Sequence, residues 1–171
     1  MFLALLWLYF QTDPRDYWVP DDRFAAEIAS ASARYGLDPQ LVRAVVFQES
    51  RFNPFARGSK GEIGLMQILP DGAVADWART QHRPVPGTAE LMKPELNLEI
   101  GCWYLSRARR RWKNYRHCDE LALCQYNAGE SRAAAWCPKD PEGAVLPNIT
   151  IRSTRIYVRE IMRRYRGYLS R

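Results

Sequence analysis

Metal-ligand spacing is missing from this 171-residue sequence, which has only two histidines, His82 and His117, and four cysteines that form no CxxC pair. Zinc sites are built from closely spaced Cys and His, so no metal site is expected. Low-complexity tracts and internal repeats are also missing. With 47% hydrophobic and 12% aromatic residues, the composition excludes a disordered chain. No apolar run approaches the roughly 20 residues of a membrane-spanning helix. The longest, Met1 to Phe10, has the length of a signal-peptide h-region, about 7–15 residues. No Lys or Arg precedes it, however, and no small-x-small cleavage site follows. Two readings stay open: the true start lies upstream, or the segment is an uncleaved, marginal anchor giving weak membrane association through residues 1–10. Gln11 to Asp22, with Pro14 and Pro20, reads as a linker. The expected organisation is therefore an apolar segment and linker over 1–22 and one globular domain over 23–171.

The net charge of +6 is unevenly placed. Residues 98–171 hold 15 Lys/Arg against 7 Asp/Glu, and the first 97 hold 10 against 12. A basic second half suits a polyanionic partner such as nucleic acid, an anionic membrane or an anionic wall polymer. The plainer alternative is a solvated arginine face. No nucleic-acid reading motif accompanies the arginines, so nucleic acid is not an expected partner. Cys102, Cys118, Cys124 and Cys137 are even in number, which in an exported protein favours one or two disulfides with three possible full pairings. Buried free thiols at Cys102 and Cys124 are the competing reading.

Helical periodicity dominates what remains. Phe24 to Tyr35 reads as a first helix closed by Gly36. Asp38-Pro39, a capping residue followed by proline at the first helical position, opens a second helix that runs to Glu49. Asn53 to Ile63 is a loop broken by Pro54, Gly58 and Gly61. Asp71 is expected to cap a short helix reaching about Arg79, with a surface loop over 80–94. Asn97 is expected to cap a long helix to about Lys113, with Leu98, Gly101, Leu105, Ala108 and Trp112 on its core stripe. Asp119 opens another helix ending at Tyr126-Asn127-Ala128-Gly129. Cys137 to Asn148 is loop, and a last helix covers about Thr150 to Leu169. Its apolar side carries Tyr157, Val158, Ile161, Met162 and Tyr165, opposite Arg155, Arg159, Arg163 and Arg166. The expected fold is all-α or mainly α, a single globule of about six to eight short helices.

Glu49 is out of place on such a helix. It continues the stripe of Val42 and Val45 at steps of three and four, so it must snorkel, pair with a base such as Arg51, or lose solvent. Loss of solvent raises a carboxyl pKa, which is what a general acid requires. The residues around it form an ordered set. Glu49-Ser50-Arg51-Phe52-Asn53-Pro54 precedes Gly61-Glu62-Ile63-Gly64-Leu65-Met66-Gln67-Ile68-Leu69-Pro70. Asn97-Leu98-Glu99-Ile100-Gly101-Cys102-Trp103-Tyr104-Leu105 follows, then Tyr126-Asn127-Ala128-Gly129, then Thr154-Arg155-Ile156-Tyr157-Val158.

This set, spanning Phe24 to Tyr165, resembles the catalytic domain of soluble-type lytic transglycosylases, relatives of goose-type lysozyme. The resemblance implies a lysozyme-like fold and cleavage of the peptidoglycan bond between N-acetylmuramic acid and N-acetylglucosamine, with 1,6-anhydro ends. It implies Glu49 as sole catalytic acid and base, with neither metal nor organic cofactor. Gly64, Met66 and Gln67 of the GLMQ run, Tyr126 and Asn127 of YNAG, and Tyr157 would bind or orient the sugar. It further implies an exported monomer acting on glycan strands in the periplasm or cell envelope. Two departures stand out. Gly58 occupies the family's usual serine position, with Ser59 one place later as the substitute candidate, and Glu62 stands where alanine is usual. A lysozyme-like hydrolase would need a second acid, for which Glu62 and Asp71 are the nearby residues in sequence. A non-catalytic wall-binding or assembly module is the reading from another class.

Overall fold

The computed structural model describes residues 22–170. The apolar segment of residues 1–10 and the linker up to residue 21 lie outside the described residues. Among the described residues there are eight α-helices: α1 Ala25–Tyr35, α2 Pro39–Ser50, α3 Ala75–Thr80, α4 Thr88–Leu91, α5 Pro94–Arg111, α6 Cys118–Ala128, α7 Glu130–Trp136 and α8 Arg152–Leu169. The fold is all-α, as the periodicity implies, and isolated bridges of Ile63 with Arg57 and Ile68 are its only β-type pairing among those residues. No helix among them is long and apolar enough to cross a membrane.

Helix α2 is the hub. Asp38 caps it by accepting the Gln40 N–H at 2.8 Å, and Pro39 sits in its first turn. Gly36 takes the left-handed conformation (φ 64) that turns the chain out of α1 and into that cap. Val42, Ala44, Val45 and Val46 of α2 are fully buried, and each valine removed from water contributes roughly 1.5–3 kcal/mol. Helices α1 and α8 cover α2, while α6 packs against α5, α7 and α8. Helix α8 lies on the core through Tyr157, Val158 and Ile161, leaving Arg155, Arg159, Arg163 and Arg166 exposed. The expected stripe of α5 is buried throughout, and Gly101 lets this helix approach the 63–68 loop. A Cβ at Gly101 would lie 2.8 Å from Met66 Cβ, too close for any larger residue.

The structure corrects several local expectations. Asn97 does not cap α5, which begins three residues earlier with Pro94 in its first turn. Asn97 is instead fully buried. Its Oδ1 accepts from Met66 N at 2.8 Å, and its Nδ2 donates to Ile63 O at 2.9 Å and Leu91 O at 2.7 Å. Asp71 caps nothing: it lies in a π-helical turn, Pro70–Val74, that runs into α3. The 80–94 loop contains α4, where Glu90 accepts the Gly87 N–H at 2.9 Å and Leu91 is buried. Helix α7, directly after Gly129, was not anticipated by the spacing. All four cysteines are free thiols, with Cys102 and Cys124 buried, so the disulfide expectation gives way to its alternative.

Asn97→Ala would strand the Met66 N–H and the Leu91 carbonyl, each costing about 1–3 kcal/mol, and leave Ile63 O with only the Ile68 N–H at 3.1 Å. It is expected to lower the unfolding free energy in urea by about 2 kcal/mol or more. A loss under about 1 kcal/mol would show that the side chain does not hold the loop.

Candidate active site

Glu49 sits one residue before the end of α2, and the chain turns sharply beyond it. Arg51 (φ 50) and Phe52 (φ 60) both adopt the left-handed conformation, a strained arrangement for side chains of this size. Burial of Phe52, 1% exposed, compensates the strain, and Ser50 Oγ reaches Leu65 O at 2.8 Å, fixing the helix end to the GLMQ loop. The same turn carries Arg51 away from Glu49. Its guanidinium stacks over the Phe47 ring at 4.7 Å, and Arg164 from α8 lies over Phe47 at 3.3 Å. Arg51 is therefore not the salt-bridge partner that sequence proximity offers.

Tyr157 of α8 is the partner instead. Its hydroxyl donates to Glu49 Oε1 at 2.6 Å across 108 residues of chain. The Glu49 side chain keeps a small opening to solvent but is walled in by protein, and this desolvation raises its pKa from 4.5 to about 7. The Tyr157 hydrogen bond pulls the other way and the negative charge of Glu62 adds to the rise. Burial, together with the charge of Glu49, holds the hydroxyls of Tyr157 and Tyr126 well above their ordinary range, so both remain donors at neutral pH.

The other expected residues divide by role. Tyr126 donates to Met66 O at 2.7 Å, joining YNAG to the GLMQ loop. Asn127 is exposed and its Oδ1 accepts from Thr154 Oγ1 at 2.8 Å. Gln67, itself left-handed (φ 47), spends its amide N–H groups on Gly64 O at 2.9 Å and Ala56 O at 3.2 Å. Gly64 and Met66, expected to meet substrate, are buried. Gly64 (φ 78) has no room for a side chain against Asn97, and Met66 fills the space beside Gly101. Their contribution is to shape the loop. Ser59 is exposed on the turn after Gly58. Among the described residues, no three His, Cys, Asp or Glu side chains gather where they could hold a metal ion.

A cleft of ≈ 640 Å³ opens beside the Tyr157–Glu49 pair, with Asn127, Thr154, Phe47 and Gln48 in its walls. Arg51, Lys60, Arg132, Arg163 and Arg164 line it too, against a single acid, Glu160. Sequence reasoning gave no role to Thr154 or Lys60, since a lone hydroxyl or loop lysine carries no signal in one dimension. Asn97 had a legible signal: proline three residues before it marks the helix start and leaves Asn97 inside the first turns.

The family model for the transglycosylase SLT domain matches residues 27–145, more than half of the chain. The chain belongs to this family. Its SLT domain is 40% identical over 77 residues to an endo-type membrane-bound lytic murein transglycosylase A of Klebsiella pneumoniae, covering 44% of this chain and 38% of that protein. It is 28% identical over 150 residues to the soluble lytic murein transglycosylase of Salmonella typhimurium, covering 83% and 23%. The fold superposes on an inactive mutant of lytic transglycosylase Slt from Pseudomonas aeruginosa with TM-score 0.73 and 28% identity, over 90% of this chain and 26% of that one. A 70-kDa soluble lytic transglycosylase in complex with bulgecin A gives TM-score 0.74 at 25% identity, over 87% and 25%. The chain thus spans less than half the length of these relatives.

The raised pKa of Glu49 has a consequence for stability. The folded state holds this proton more tightly than the unfolded chain, so an ionised Glu49 costs stability above about pH 7, and that cost disappears as pH falls below 4.5. Glu49→Gln is expected to raise the unfolding free energy by about 2 kcal/mol at pH 8, allowing for the partial exposure, and to leave it nearly unchanged at pH 4. Equal stabilities at both values in urea titrations would refute the desolvated carboxyl.

Proposed function

We propose that this SLT domain is a peptidoglycan lytic transglycosylase in which Glu49 serves as both acid and base. The observation that carries the reading is the desolvated Glu49 carboxyl, with a pKa near 7 and a buried tyrosine donating to it beside an open cleft. Such a group populates both charge states near neutral pH, as a residue that must first give and then take a proton requires. Protonated Glu49 delivers its proton to the oxygen linking N-acetylmuramic acid to N-acetylglucosamine. The C1–O4 bond breaks, and the muramic 2-acetamido group stabilises the cationic C1. The Glu49 carboxylate, steadied by Tyr157, then takes the proton of the same sugar's 6-hydroxyl as O6 closes on C1. Glu49 ends as it began, and no water is consumed. Gln67, Asn127 and Ser59 are the candidates for contact with the sugar, while Tyr126 supports the loop that carries Gln67.

The names of the relatives support peptidoglycan as substrate and the cell envelope as the place of action. We assign the described helices to one domain over 23–171, acting as a monomer on glycan strands, with residues 1–22 as an attachment or export segment. One feature favours a hydrolase as second reading: Glu62 is close enough for its charge to act on Glu49. Asp71, the other candidate, is exposed on its π-turn.

Mass analysis of digested peptidoglycan separates the two. The expected products are 1,6-anhydro-muropeptides, with hydrated reducing ends alone refuting the transglycosylase reading. Glu49→Gln should lower the rate by at least about a hundredfold, and a fully active variant would remove Glu49 from the mechanism.

A further inference from the structure

The turn between Arg57 and Ile63 contains a pairing that the proposed mechanism does not use. Gly58 N donates to Glu62 O at 2.9 Å, and Gly61 N to Gly58 O at 3.2 Å. Gly61 takes a positive φ of 89, but Gly58 does not. The backbone therefore does not require glycine at 58. The absent side chain is what matters there: a Cβ on Gly58 would collide with the Glu62 carboxylate, lying 2.7 Å from its Cδ and 2.9 Å from Glu62 Cβ. Rotating the glutamate could relieve the first contact. The contact with Cβ is set by the two backbones and would persist.

Glu62 is also held in place. Its Oε2 accepts the Lys60 N–H at 2.8 Å, and Lys60 lines the same cleft as Tyr157, the hydrogen-bond donor to Glu49. Next along the chain, Ile63 is bridged to Ile68, Gly64 N donates to Ala56 O at 2.9 Å, and Ser50 fixes the end of α2 to Leu65. The turn that carries Glu62 and the helix end that carries Glu49 are thereby tied together. The groups acting on Glu49 are Tyr157 from α8 and Glu62 from this turn, and Tyr126 from α6 senses the charge of Glu49 in return. The cations Arg51 and Lys60 lie along the cleft, with Arg51 stacked on Phe47.

We propose that Gly58 and Glu62 are a matched pair: the missing side chain at 58 makes room for the Glu62 carboxylate on the turn tied to the end of α2, and Glu62 is a positioning residue that keeps the proton on Glu49 until the sugar arrives. The two departures from the resembled pattern are then one exchange, a serine hydroxyl given up for a carboxylate seated over a glycine. Glu62 does not attack the sugar in this scheme; its negative charge disfavours a second negative charge nearby. The inference rests on Glu49 being the acid.

Two experiments test it. In the first, peptidoglycan clearing is measured from pH 4 to 9 for the parent, Glu62→Gln and Glu49→Gln. Glutamine keeps an acceptor for the Lys60 N–H but removes the charge. Glu49 then loses its proton more readily, and the alkaline limb of kcat/KM should move to lower pH by about half a unit or more. A limb superimposable on the parent's, with Glu49→Gln inactive, overturns the role of Glu62 and leaves Glu49 standing. An active Glu49→Gln overturns the proposed acid itself and the inference with it. In the second, the melting temperatures of Gly58→Ser, Glu62→Gly and the double variant are compared, a readout that does not depend on the reaction. Gly58→Ser should lower the melting temperature of the parent, and should lower that of Glu62→Gly, which lacks the opposing Cβ, much less. Strictly additive effects would show that the two positions are not matched.

Discussion

A hydrogen bond of 2.6 Å from Tyr157 to Glu49 ties the last helix to the end of α2, and it does so around a group that resists burial. Removing a carboxylate from water is costly, and the ordinary protein remedy is a neighbouring cation. Here the remedy is withheld. The left-handed turn at Arg51 and Phe52 swings the nearest guanidinium onto Phe47, leaving a neutral donor as the carboxyl's partner. The proton then becomes the least costly way to neutralise the charge, and the raised pKa follows from that choice. The strain of two consecutive positive φ values is offset by the buried Phe52 ring and by Ser50 on Leu65.

The rest of the fold holds this arrangement steady. The GLMQ segment has little regular structure, so its backbone groups need partners from outside. Asn97 supplies two, to Met66 N and Ile63 O, and Tyr126 a third at Met66 O, while Gln67 satisfies Gly64 O from within the loop. Gly101 on α5 lets Met66 close the gap beneath the loop. The expected substrate contacts at Gly64 and Met66 are thereby explained as support: they shape a surface that other residues present.

How much of this could be read in one dimension depended on how local each cause was. The caps at Gly36 and Asp38, the α5 stripe and the two faces of α8 obey periodicities of three and four, and all appear as the spacing implies. Glu49 was legible as an acid on an apolar stripe, but its environment was not, because Tyr157 lies 108 residues away. Asn97 misled because asparagine is a good cap, while Pro94 upstream already marked the true helix start. Helices α4 and α7 are short, and their stability comes from buried anchors such as Leu91, Ala133 and Trp136 rather than from pattern. Gly58 and Glu62 were visible only as two separate oddities, since their collision is a fact of three dimensions.

The charge distribution completes the logic of the cleft. Five arginines of α8 face solvent, as a solvated face would, yet Arg163 and Arg164 border the cleft together with Arg51, Arg132 and Lys60. Cations beside a carboxyl would normally draw its proton away, because a nearby positive charge favours the carboxylate. None of these cations figures among the influences on Glu49, which are burial, Tyr157 and Glu62. Arg51 and Arg164 are occupied with the Phe47 ring, and Arg163 pairs with Glu160 at 2.8 Å. The positive rim can thus favour an anionic polymer at the mouth without discharging the acid inside. The Glu62 carboxylate, held by the Lys60 N–H on the turn that follows α2, acts on Glu49 in the opposite sense to a cation, adding to the rise that burial causes.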